Sequence, residues 1–329
     1  MSEPQVVASR YATAATGEVL PDATDRRRLW RAAVKWPMYA VAVMPLLLAA
    51  GWRLGQGLPI RLDQLLLFLL GAVLLLAWEN LANDVFDADT GVDAAGKPHS
   101  VVALTGRRDR VARLANGSLV LGLILMALVA WRSTAAVFPL VLACCGLGYL
   151  YQGPPFRLGY RGLGEPLCWL AFGPCATAAA LLALDPAAGG SAPPSVPWTT
   201  ALVLGSGPAL ATTLVLFCSH FHQVEEDAAH GKHSPVVRLG SERAAALVPW
   251  FVAASLGLQW APVAVGWWPP AALLGAIGLP PARRLIRLLG EHHHRPEKIH
   301  QSKFLALRFQ ALSGFGLALG LALGPWPRP

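Results

Sequence analysis

The sequence predicts an all-α, polytopic membrane protein of about nine transmembrane helices, and three observations carry that prediction. Hydrophobic residues make up 54% of the 329, charged residues only 14%, and the mean hydropathy is +0.46. A soluble surface needs about a quarter charged residues, so a cytosolic enzyme, a disordered chain and a collagen-like chain are all excluded. The apolar residues gather into nine runs, each near the roughly 17–25 residues that a spanning helix requires. Positive charge, finally, is distributed very unevenly among the loops between those runs.

The runs are Trp36 to Leu54, Leu62 to Ala82, Leu114 to Trp131, Ala135 to Tyr151, Leu167 to Leu184, Trp198 to Phe217, Ala244 to Trp260, Ala264 to Leu279 and Phe304 to Leu323. Very little separates the seventh from the eighth, and one long broken segment is the alternative there. Residues 1–25 are polar and small and lack the apolar stretch of a secretory signal. An uncleaved, disordered tail is therefore expected before a single transmembrane domain over 26–329.

With the N-terminus inside, nine spans leave all but four of the 27 Lys and Arg on the inner side; Arg53, Arg61, Arg132 and Arg328 fall outside. Lys and Arg accumulate in cytoplasmic loops, so this orientation follows. It also accounts for the net charge of +8 without nucleic acid, because the bases are not interleaved with aromatics on a polar domain. The five cysteines lie inside apolar runs without CxxC spacing and read as core residues.

The chain carries an internal echo. At an offset of 134 residues, Asp93 to Gly106 lies over Asp227 to Gly240 with seven of fourteen positions identical. The two copies follow the second and sixth spans, so the repeats run parallel and present these loops on one face.

Seven of the nineteen acidic residues fall at two helix ends: Asp84, Asp87, Asp89 and Asp93, then Glu225, Glu226 and Asp227. Asn83 and Asp87 are four apart and Asp84 and Asp87 three apart, which puts them on one helix face; Gly91 can turn the chain so that Asp93 points back. In the second cluster His222 with Glu225 or Glu226, and Gln223 with Asp227, have matching spacings. Two facing rows of oxygen ligands result. Carboxylates crowded at membrane depth persist only if something positive neutralises them, and Mg²⁺ with a substrate's phosphates suits hard oxygen donors. Lys97, Arg107, Arg108, Lys232 and Arg238 follow the clusters and could grip the remaining phosphate oxygens.

The Gly/Pro-rich stretch from Tyr149 to Glu165 reads as a further wall of that cavity, with Tyr149, Tyr151, Tyr160, Arg161 and Glu165 as candidate contacts. Tyr faces there could stabilise a carbocation. Glu79, near the end of the second run, reads either as a proton-relay residue or as an interfacial charge. The run Glu291 to His294 reads as a solvated loop.

Asn83-Asp84-Val85-Phe86-Asp87 through Gly91-Val92-Asp93 resembles the first aspartate-rich motif of the UbiA-type intramembrane aromatic prenyltransferases, and the second acidic cluster stands where their second motif does. The resemblance runs from about Arg26 to Leu323. Ser100 to Gly106, the Tyr151 to Glu165 loop, and His220-Phe221-His222-Gln223-Val224-Glu225-Glu226-Asp227 with Gly231-Lys232 and Val236 to Gly240 look like the naphthoate branch, and within it the phytyl-transferring members of cyanobacteria and plastids.

That resemblance implies two parallel four-helix pseudo-repeats around a central cavity capped on the cytoplasmic side of a cell inner or thylakoid membrane. It implies transfer of phytyl from phytyl diphosphate to 1,4-dihydroxy-2-naphthoate with loss of CO₂ and diphosphate, giving demethylphylloquinone. Two Mg²⁺ ions are implied. Asn83, Asp87 and Asp93 would serve the first, supported by Asp84, and Asp227 with Glu225 the second, with Glu226 a further ligand; Lys97, Arg107, Lys232 and Arg238 would bind diphosphate, and His222 would face the acceptor. The chain departs from the pattern at Gln223, where many relatives have a carboxylate, and at Ala103, where the branch often has Asn. A homogentisate or 4-hydroxybenzoate prenyltransferase shares both motifs, and a cation-coupled transporter could also hold intramembrane carboxylates in parallel repeats.

Overall fold

The computed structural model describes residues 29–30, 36–91, 100–185 and 195–326; the expected tail, Asp93 and Lys97 lie outside them. Every element among the described residues is helical. In chain order they are α1 (Tyr39–Gly55), α2 (Leu62–Thr90), α3 (Val101–Thr105), α4 (Arg108–Arg132), α5 (Val137–Gln152), α6 (Gly164–Ala183) and α7 (Trp198–Ser219). There follow α8 (Val224–Ala229), α9 (Pro235–Leu239), α10 (Ser241–Ala264), α11 (Leu279–His292) and α12 (Ser302–Leu323).

Six helices are long and apolar enough to cross a membrane: α2, α4, α6, α7 extended to His222, α10 and α12. The shorter α1 and α5 are also apolar. The eighth expected run, Ala264 to Leu279, is not one α-helix. Pro270–Gly278 forms a 3₁₀ segment, and α11 after it is amphipathic, with Ala282, Leu285 and Leu289 buried and Arg283, Arg284 and Arg287 exposed. Prolines are the cause: Pro269 stands before the segment, Pro270 opens it, and Pro280 and Pro281 follow it, none with an N–H to offer. Gly316 and Gly320 of α12 let the 3₁₀ backbone seat directly against them; a Cβ at either would lie 2.3 Å from Leu274 O or 2.0 Å from Ala271 O.

Another proline shapes α6. Pro174 cannot bond back to the preceding turn, and Ala171–Cys175 widens into a π-turn there. The thiol of Cys144 on α5 donates to the Ala171 carbonyl at 3.4 Å.

Charge marks the two ends of the bundle. At the end where α2 begins, Arg61 and Arg132 both bind Asp63, and Arg53 binds Asp185. The acidic motifs lie at the other end. The echo reappears in local structure there: α3 and α9 are each five residues long, follow Ser100 and Ser234, and stop at Gly106 (φ 62°) and Gly240 (φ 78°).

Candidate active site

At 29 residues α2 is about 44 Å long, more than the roughly 30 Å of hydrocarbon, so its last two turns reach past the apolar layer. Gly91 ends it in the left-handed conformation, φ 76°. Asn83 and Asp87 line a cavity of about 690 Å³, within the range that binds substrates and cofactors. The cavity runs back along α2 as far as Phe68, about 28 Å of helix, between apolar side chains such as Leu75, Met126, Val141 and Ala179. One end is therefore acidic and polar and the rest is oily. Asp84, also buried, is not part of the lining; its Oδ2 accepts a hydrogen bond from Val101 N at 2.9 Å and anchors α3.

The facing wall comes from the chain after α7. Gln223, with φ −137°, breaks the helix, and α8 restarts so that Asp227 turns inward, 1% exposed. The loop then doubles back: Lys232 N donates to Asp227 O at 2.7 Å, and Lys232 Nζ stands 3.3 Å from Asp227 Oδ1. Apart from that ion pair, the oxygen accepts no hydrogen bond among the described residues, although it is fully buried. Behind it His220 lies between Asp227 (Nδ1 to Oδ2, 3.9 Å) and Glu165 (Nε2 to Oε1, 3.5 Å).

Tyr160 joins the two walls. Its hydroxyl donates to Asp87 Oδ1 at 3.2 Å and pairs with Thr90 Oγ1 at 2.9 Å, while its backbone carbonyl accepts from His233 N at 2.7 Å. Lys232 Nζ lies 5.7 Å and the Arg157 guanidinium 5.8 Å from its ring centroid, so two cations already attend the ring. Burial, and after it the charge of Asp87, push the phenol up to about 12, which keeps it a donor. Gly162 closes the loop at φ 73°, where a Cβ would lie 2.9 Å from His233 O. Asn83, Asp87, Tyr151, Gln152, Tyr160 and Lys232 surround a small recess beside the main cavity.

Of the candidate residues, Asn83, Asp87, Tyr151, Tyr160, His222, Asp227 and Lys232 are thus brought together, with Glu165 behind His220. His222 lines the cavity and pairs through Nε2 with Ser302 Oγ at 3.1 Å. Others are placed elsewhere. Glu225 is exposed, and Glu226 accepts from Gln223 Nε2 at 3.4 Å. Arg107 is exposed, and Arg108 makes a two-pronged pair with Asp89 at 2.6 and 2.7 Å. Arg238 donates to the carbonyls of His233 and Arg161 at 3.0 Å each and so braces the Tyr160 loop against α9. Tyr149 stands off the cavity, edge-on to Phe86, its hydroxyl donating to Pro154 O at 2.6 Å. Among the described residues no three His, Cys, Asp or Glu side chains stand close enough to hold a metal by themselves.

Several lining residues have no signal in local sequence. His220 meets the candidate Glu165 across 55 positions, Gln152 reaches Glu79 O at 3.0 Å, and His300 and Lys303 stand on either side of the first residue of α12. Glu79 does have one: it stands four before Asn83 and eight before Asp87, on the same face.

A helical membrane bundle that surrounds an oily tunnel with facing carboxylates and a lysine at its mouth has the architecture of an intramembrane enzyme. The chain belongs to the UbiA prenyltransferase family, whose model matches residues 41–326. It is 41% identical over 298 residues to the 2-carboxy-1,4-naphthoquinone phytyltransferase of Synechocystis sp., covering 89% of this chain and 93% of that one. To the chloroplastic enzyme of the same name from Arabidopsis thaliana it is 40% identical over 300 residues, 90% of this chain and 77% of that one. Among solved structures, the fold is similar to a UbiA homologue from Archaeoglobus fulgidus bound to DMAPP and Mg²⁺, with a TM-score of 0.54 and 19% identity over 87% of this chain and 96% of that one.

Proposed function

We propose that this chain transfers the phytyl group of phytyl diphosphate to 1,4-dihydroxy-2-naphthoate, releasing CO₂ and diphosphate, in a nine-span membrane domain of two parallel four-helix pseudo-repeats whose acidic end faces the cytoplasm. The observation that carries this reading is 41% identity along 93% of the Synechocystis phytyltransferase. The cavity supports it: an acidic mouth suits a metal-bound diphosphate, and the tunnel along α2 suits a long isoprenoid.

The residues present fit Mg²⁺. Asn83 and Asp87 offer hard oxygens from one wall, and the other offers the buried Asp227 oxygen that accepts no hydrogen bond among the described residues. Mg²⁺ commonly takes only one or two carboxylates, adding water and substrate phosphate, so a protein-only cage is not required. Two ions are proposed, one held from Asn83 and Asp87 with Asp93, the other from Asp227; Glu225 and Glu226, neither of which lines the cavity, could join the second by turning inward. Bound there, Mg²⁺ supplies charge withdrawal from the leaving diphosphate.

The chain's own residues do the rest. Lys232, 3.3 Å from Asp227 Oδ1 and above Tyr160, places a positive charge where the diphosphate oxygens would lie. Tyr160 fixes the Asp87 carboxylate by donating to Oδ1. The apolar walls exclude water from an allylic cation, so that the electron-rich ring captures it. Tyr151 is the aromatic side chain that lines both the tunnel and the recess, and its face is the one available to such a cation.

Purified protein in detergent, given phytyl diphosphate and Mg²⁺ with each acceptor in turn, tests the reading. A prenylated naphthoquinol is expected from 1,4-dihydroxy-2-naphthoate alone. Product from homogentisate or 4-hydroxybenzoate instead would reassign the acceptor, and no product with any of the three would overturn the reaction.

A further inference from the structure

Glu79 is a carboxylate to which the steps above give no task. It lines the cavity on the α2 face that carries Asn83 and Asp87, one turn and two turns deeper than they are. Its carboxylate makes no hydrogen bond or ion pair among the described residues; Gln152 binds only its backbone carbonyl, at 3.0 Å. The space it occupies is kept open by α5, where a Cβ on Gly148 would stand 2.5 Å from Glu79 Oε2. The titratable and charged side chains that line the same cavity from other elements are Cys144, Cys145 and Tyr151 of α5, Cys168 of α6, and His220, His222, Asp227, Lys232, His300 and Lys303. An ionisable group at membrane depth with no partner among the described residues is costly and marks a ligand or proton path.

Its depth says which ligand. Glu79 lies one helical turn further in than Asn83, so with diphosphate held at Asn83, Asp87, Asp227 and Lys232 the carbon that bears it would lie toward the level of Glu79, and the acceptor ring would have to reach that same point.

Resting on the proposed reaction, we propose that Glu79 is the general base for the acceptor, taking the proton of the ring hydroxyl next to the carboxylate-bearing carbon. The O–H bond breaks and its proton passes to Glu79. The ring electron pair forms the new C–C bond at the carboxylate-bearing carbon as the bond between the prenyl carbon and diphosphate oxygen breaks, leaving a ring ketone beside the carboxylate. Loss of CO₂ returns an electron pair to that ketone oxygen, which recovers the proton from Glu79. The carboxylate ends as it began, and no oxidant or reductant is consumed.

The test is single-turnover transfer by Glu79→Gln and Gly148→Ala with both substrates saturating, alongside phytyl diphosphate affinity in Mg²⁺. A general base contributes about 10²–10⁴-fold. Glu79→Gln is therefore expected to slow transfer by that factor near neutral pH while leaving phytyl diphosphate affinity unchanged, which also reports a folded protein. The deficit should shrink as pH rises, because the naphthoate hydroxyl then ionises without help. Gly148→Ala, which crowds the same carboxylate and leaves its chemistry intact, should slow transfer too. A Glu79→Gln enzyme at the wild-type rate, or one slowed equally at every pH, overturns the inference and leaves the phytyltransferase reading standing. A wild-type protein that makes no prenylated naphthoquinol overturns both.

Discussion

Tyr160→Phe removes one atom from the junction of the two walls and leaves the ring in place. The lost hydroxyl donates to Asp87 Oδ1 at 3.2 Å and pairs with Thr90 at 2.9 Å, whereas the contacts of Lys232 and Arg157 with the ring are kept. A hydrogen bond to a charged group is worth about 1.5–3 kcal/mol, and at a half-buried site the lower figure applies. That is roughly a ten-fold weakening of Mg²⁺-dependent prenyl diphosphate binding. Tyr160→Ala also loses the cation–ring contacts, each about 0.5–1 kcal/mol, and should fall a further several-fold. The assay is titration of purified protein with labelled phytyl diphosphate at fixed Mg²⁺, wild type and both variants side by side. If Tyr160→Phe binds as tightly as wild type while Tyr160→Ala does not, the hydroxyl does not position Asp87 and the reasoning is refuted.

Three further outcomes follow from the same geometry. Gly162→Ala forces a side chain into φ 73° and against His233 O, and should destabilise the loop by about 1–2 kcal/mol, read as a lower melting temperature in detergent. Arg238→Lys should behave like Arg238→Ala, because one ammonium cannot replace the fork that braces His233 O and Arg161 O; full activity in the Lys variant would instead assign Arg238 to the diphosphate. Because burial and Asp87 raise the Tyr160 phenol from 10.0 to about 12, its stabilising contribution is complete below pH 10 and lost as pH rises through about 12. Tyrosinate absorbance of wild type minus Tyr160→Phe should show one group titrating near that upper value.

How much of this was legible in the sequence depended on whether the signal was local. Asn83 and Asp87 share a face because α2 continues unbroken to Thr90, as their spacing implies. The second cluster was harder to resolve. Its spacings imply one continuous helix, but the break at Gln223 reorients α8, so Asp227 alone of the three acids is buried while Glu225 is exposed. Lys232 could be placed by its position after the cluster, yet Arg238 and Arg108, which also follow the clusters, are spent on carbonyls and on Asp89. Nothing in composition separates a cation that lines the cavity from a brace. The eighth run is apolar enough to suggest one α-helix, but its prolines set a 3₁₀ backbone, and hydropathy does not register them. The Glu165–His220 contact depends on how α6 packs against the end of α7, which no spacing encodes.

The central claim is that Asp87 and Asp227, from opposite walls, act together on a metal-bound prenyl diphosphate. Single-turnover transfer of labelled phytyl to 1,4-dihydroxy-2-naphthoate tests it most directly, comparing wild type, Asp87→Asn, Asp227→Asn and the double variant, each with Mg²⁺ and after chelation. Transfer that requires Mg²⁺, falls at least about a hundred-fold in either single variant and falls little further in the double is the expected result, since residues acting as a unit are not additive. Transfer that survives chelation, or single losses that multiply in the double variant as independent sites do, would contradict it.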